Sequence, residues 1–142
     1  GINIGGYIRA ARAYDFCNLF KNNTNLLNSP ELPSTTLATY CYYGMFSGCS
    51  GLTAAPELPA TTLVYSCYQN MFQNCSSLSY IKVHATTWNT SYAINWVKGV
   101  PNIEGAQFHK PEVLNIGTGT GEIPQAQGNT NGIPYGWTVV DF

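Results

Sequence analysis

The chain has 142 residues, with six Lys or Arg against seven Asp or Glu and a net charge of −1. That is enough for one domain with its own core. The absence of any basic or acidic run excludes the electrostatic footprint of a nucleic-acid binder, and no apolar stretch nears the roughly 20 residues of a membrane-spanning helix.

No signal-peptide pattern opens the chain, and the leading Gly1-Ile2-Asn3-Ile4 is expected to be a trimmed or mature start. Ile2 and Ile4 have the phase of a strand end. A repeated pattern follows. Phe20, Phe46 and Phe72 stand 26 residues apart, preceded by Leu19, Met45 and Met71. Asn23, Cys49 and Cys75 form another row, and Leu26, Leu52 and Leu78 a third. After Ile81 the spacing falls to 25, and Trp96, Val97, Val100 and Ile103 continue the rows in a diverged fourth copy. A fixed period of this length signals stacked repeats that bury apolar faces against one another.

Each copy is expected to hold a short helix and a short extended segment. In the clearest copy Cys41, Met45, Phe46 and Cys49 share one face at helical spacing, which predicts a helix over about 38–47. Thr36 and Thr62 stand where an N-cap would help. Asn22, Gly48, Asn74 and Gly99 mark the helix ends, since only Gly and Asn occupy that row. The extended segments are 26–32, 52–58, 78–83 and 103–108, with Pro30 and Pro56 leaving the first two bulged or half paired. Each buried Leu or Phe in the resulting ladders contributes about 1.5–3 kcal/mol. Asp15 replaces the Cys41/Cys67 position in copy one and marks that side as an edge.

Beyond Lys110 the period is lost. Residues 117–121 and 127–132 read as turns or loop, and 136–142 as a strand. The expected fold class is an α/β repeat: a short leucine-rich-repeat solenoid of parallel strands plus short helices. About four units fill 1–108. Residues 109–142, with Trp137, form an irregular β-containing C-terminal cap packed on the last repeat, in a single domain. The five Cys are an odd number, and Cys41/Cys67 and Cys49/Cys75 in periodic rows suit buried thiols better than a disulfide framework.

Met45-Phe46-Ser47-Gly48-Cys49-Ser50 and Met71-Phe72-Gln73-Asn74-Cys75-Ser76, with Leu-x-x-Ile-x-Val at 78–83, resemble the BspA-like leucine-rich repeat of bacterial surface proteins. The 55–63 stretch and the Asn95–Val100 and 132–139 segments are similar to cell-surface repeat proteins of Bacteroides-type bacteria. The resemblance implies an exported or surface-anchored, extracellular protein used for adhesion or protein binding.

No catalytic constellation or cofactor motif accompanies the repeats, so the expectation is a non-enzymatic recognition module with no cofactor and no metal. His84 and His109 stand without a triad, and Gly117–Gly121 lacks the ending of a phosphate loop. Glu31 and Glu57, equivalent in adjacent copies, could pair as glycosidase carboxylates or hold a cation, although a solvated Pro-Glu turn explains them too. Tyr42, Tyr43, Tyr65, Tyr68 and Tyr80 lie off or beside the core rows, as candidate anchors or as covers of the helices. The binding face is expected on the outward side of the strands, at Asn28, Glu31, Thr53, Glu57, Ser79, Tyr80, Lys82 and Glu104. Its partner would be a protein or a glycan at the cell surface. A carbohydrate-binding protein and a structural repeat spacer are the alternatives.

Overall fold

The computed structural model describes residues 10–116 and 131–142. The expected positions of Ile2, Ile4, 117–121 and 127–130 lie outside the described residues.

The expected helix–strand solenoid is not present. No α-helix occurs among the described residues, and helical structure is confined to a 3₁₀ turn at Thr90–Tyr92. Three short strands form a parallel sheet in the order β1 (Tyr80–Lys82), β2 (Gln107–Lys110), β3 (Thr138–Asp141). β1 and β3 fall inside expected extended segments, and β2 begins at the end of one. Copy two contributes only the isolated bridges Ala54↔Tyr80 and Leu58↔Val83, and the described part of copy one contributes no strand.

Where helices were expected, the chain folds into overlapping turns. From 38 to 49 every second N–H closes a turn on the carbonyl three residues back: Cys41 on Ala38, Tyr43 on Tyr40, Met45 on Tyr42, Ser47 on Gly44 and Cys49 on Phe46. The intervening N–H groups leave the copy altogether. Tyr42, Gly44, Phe46 and Gly48 donate to the carbonyls of Cys67, Gln69, Met71 and Gln73 in the next copy, at 2.7–3.1 Å. The same alternation joins copy one to copy two, where Phe16, Asn18, Phe20 and Asn22 are donors, and copy three to copy four, where Tyr68, Asn70, Phe72 and Asn74 are. An α-helix spends its N–H groups on its own carbonyls and has none left for a neighbour. This ribbon divides them, half inward along the chain and half across to the next copy.

The ribbon requires a positive φ every fourth residue: Tyr14, Asn18 and Asn22 in copy one, Tyr40, Gly44 and Gly48 in copy two, Ser66, Asn70 and Asn74 in copy three. Gly and Asn tolerate this third-position turn geometry best. The row Asn22, Gly48, Asn74, Gly99 read as helix ends is one of these. The row Asn18, Gly44, Asn70, Asn95 is a second of the same composition. Gly48 serves packing as well, because a Cβ there would overlap the Asn22 Oδ1 of the preceding copy.

Apolar side chains of the ribbon stack into ladders. Phe20, Phe46 and Phe72 stack with nearly parallel rings at centroid spacings of 5.6 Å. Phe16, Tyr42 and Tyr68 form a second column at 6.0 and 6.2 Å. Both columns end on Trp96, fully buried, 5.8 Å from Tyr68 and from Phe72. Such ring pairs add about 0.5–1.5 kcal/mol each beyond their buried area. Tyr42 and Tyr68 are thus core residues, contrary to their expected place beside it, whereas Tyr65 is exposed. Leu19, expected in the Met45/Met71 row, is half exposed at the open side of copy one.

The far side of the stack is covered. Asn131 Oδ1 accepts from the Asn95 N–H at 2.7 Å, Gly132 O from Trp96 Nε1 at 2.8 Å, and Pro101 O from Trp137 Nε1 at 3.0 Å. On the sheet, inward residues alternate with outward ones: Ile81, Val83 and Phe108 are buried between Tyr80, Lys82, His84, Gln107 and His109. Lys110 also points inward, and its ammonium donates to Asp141 Oδ1 at 2.8 Å and Leu114 O at 2.9 Å, fastening β3 to β2.

Candidate binding face

The outward side of the three strands is a small polar surface with aromatic edges. Register sets its rows: Tyr80 faces Gln107, which faces Thr138, and Lys82 faces His109, which faces Val140. Because side chains alternate along a strand, these residues share one face. Tyr80 packs on the His109 ring at 4.9 Å, and His109 Nε2 donates to Gln107 Oε1 at 2.9 Å.

Glu57 reaches this face from copy two. Its Oε1 accepts from His84 Nε2 at 2.7 Å and lies 3.5 Å from Lys82 Nζ. An ionised carboxylate only accepts, so Nε2 of His84 carries the proton here. The His84 hydrogen bond chiefly, with the Lys82 and His84 charges adding to it, holds the Glu57 carboxyl below its ordinary range against the opposing desolvation. Phe142 closes the cluster. Its ring meets the His84 ring edgewise at 5.2 Å, and Lys82 Nζ sits 5.0 Å from its centroid, within cation–π range. Phe142 is half exposed.

Of the eight expected face residues, the structure brings Glu57, Lys82 and Tyr80 into this surface. Ser79 and Thr53 lie at its edge, where the Thr53 carbonyl accepts from both the Ser79 N–H and hydroxyl. Asn28, in the turn-rich part of copy one, and Glu104, in the turn before β2, are exposed but take no part in the cluster. Glu31 lines a separate groove of about 470 Å³ between the Pro-Glu-Leu-Pro of 30–33 and Pro56, Glu57 and Pro59 of the next copy. His84, His109 and Phe142 were missed as binding residues. The first two continue the alternation of 80, 82 and of 107 by one step, so a longer strand assignment would have found them. Phe142 has no sequence signal tying it to a residue 58 positions earlier.

A glycosidase acid needs a carboxyl raised toward neutrality, and Glu57 is shifted the other way. Burial raises the Cys41 and Cys49 thiols and pushes Cys67 and Cys75 up to about 12, which disfavours the reactive thiolate at these four positions. Among the described residues no three His, Cys, Asp or Glu are grouped as a metal site needs, and no helix is long and apolar enough to cross a membrane. Comparison with protein-family models, with curated proteins and with solved structures finds no match.

Proposed function

We propose that the chain is a non-catalytic recognition module, exported and displayed at a bacterial cell surface, that captures a partner protein on the outward face of β1–β3. The observation that carries this reading is the exposed Glu57–His84–Lys82 cluster roofed by Phe142, beside Tyr80 and His109. It combines a fixed charge pattern with aromatic surface, the combination that gives interfaces specificity and contact area. The repeat motif's likeness to BspA-like surface proteins supports the location.

The test is binding of the purified chain to arrayed extracellular proteins and, in parallel, to arrayed glycans. Capture of a protein that is lost in Glu57→Lys and in Phe142→Ala supports the reading. Capture unchanged in both variants refutes the assigned face. Glycan binding without protein capture replaces it with the carbohydrate alternative, for which Tyr80 and Phe142 would be the stacking surfaces.

A further inference from the structure

The stacking of copy one on copy two is interrupted. The ladder of backbone hydrogen bonds runs to Asn22 N–H on Ser47 O and resumes at Tyr42 N–H on Cys67 O. Between those points no backbone hydrogen bond joins 23–41 to 48–66 among the described residues. The equivalent stretch of the next pair is closed: Ala55 donates to Tyr80 O, Leu58 to Lys82 O and His84 to Leu58 O. Leu32, the counterpart of Leu58, is 2 % exposed, and its N–H meets no acceptor among the described residues. The repeated Pro-Glu-Leu-Pro explains the opening. Pro30, Pro33, Pro56 and Pro59 have no N–H to donate, so two such segments side by side have fewer donors for a ladder than 55–59 has against Tyr80–His84.

What remains is the 470 Å³ groove, a volume within the range of ligand sites. One wall carries Glu31 and the other Glu57, and no basic residue lines it. Both Glu57 contacts to His84 and Lys82 fall on Oε1, which leaves Oε2 able to accept.

We propose that this groove takes an extended peptide segment carrying an arginine or lysine. The peptide backbone supplies the acceptor that the Leu32 N–H lacks, in the manner of an added strand. The cationic side chain lies between the carboxylates of Glu31 and Glu57, and an arginine fork can engage both. The proposal rests on the reading of the chain as a recognition module, not on what the strand face captures.

The experiment is a titration of the ¹⁵N-labelled full chain with the blocked pentapeptide Ala-Ala-Arg-Ala-Ala and with its Ala-Ala-Glu-Ala-Ala counterpart. The arginine peptide is expected to shift the amides of Glu31, Leu32 and Glu57, and the glutamate peptide is not. Glu31→Gln, an exposed change that leaves the fold alone, should weaken the arginine peptide roughly three- to tenfold. Tyr80→Ala, which touches His109 and not Glu57, should leave its affinity unchanged, so the groove and the strand face can fail separately. Equal shifts from both peptides, shifts confined to other residues, or no shift at all would overturn the assignment.

Discussion

Replacing Gly48 by Ala tests the turn ribbon directly. Gly48 has φ +78° and Gly105 has φ +81°, so both substitutions force an L-residue into the left-handed region. At Gly105 a new Cβ meets nothing within 4 Å. The cost there is conformational only, about 1–2 kcal/mol, partly offset by the lower entropy of the unfolded chain. At Gly48 the Cβ would overlap Asn22 Oδ1 and lie 3.3 Å from Asn22 Cα. The side chain can swing, but the Cα belongs to the hydrogen-bonded ladder. Overpacking of this kind adds about 1–3 kcal/mol, for a total of about 2–5 kcal/mol before that offset. Urea denaturation of Gly48→Ala and Gly105→Ala should show the first midpoint falling well below the second. Adding Asn22→Gly to Gly48→Ala removes the overlapping amide and keeps a residue that tolerates φ +62°, so part of the loss should return. Equal midpoints for the two alanine variants would refute the interlock between copies.

Trp96→Ala should cost about 3–5 kcal/mol in the same assay, because it removes the fully buried ring on which both aromatic columns end. The pH dependence follows from the lowered Glu57 carboxyl. Its contribution to stability is complete above the ordinary carboxylate range and is lost as pH falls through the lower folded value; thermal melts from neutral to acid pH should show this loss diminished in His84→Ala. With a thiol reagent, Cys17, which is partly exposed, should react in the folded protein, and Cys41, Cys49, Cys67 and Cys75 only on unfolding.

The rows of the repeat were legible because stacking places equivalent residues over one another. Phe20, Phe46 and Phe72 do form a column, and Cys41/Cys67 and Cys49/Cys75 are buried in register. The local conformation was not. Apolar residues at 41, 45 and 49 have the spacing of a helix face, yet a ribbon with a left-handed residue every fourth position repeats at the same interval. The discriminating signal was Asn18, Gly44, Asn70 and Asn95, a Gly/Asn row in mid-element that no uninterrupted helix would carry. On the candidate face, alternation exposed Tyr80 and Lys82, but stopping the strands at 83 and 108 hid His84 and His109. The Glu57–His84 contact joins separate copies through a register that only the fold supplies.

The one-way hydrogen bonding of the ribbon gives the stack an electrical polarity. The peptide units 41–42, 43–44, 45–46 and 47–48 each accept from copy one and donate to copy three, so their dipoles, about 3.5 D apiece, point the same way. The units above and below repeat the direction. In an ordinary sheet such dipoles largely cancel; here they add along the stacking axis, as they do along an α-helix, although the chain runs across that axis. The carbonyl end falls at Cys17, Leu19 and Lys21, which have no backbone acceptor role filled among the described residues, and this edge carries partial negative charge. The amide end falls on copy four, where the side-chain oxygen of Asn131 meets the Asn95 N–H as a capping residue meets the start of a helix.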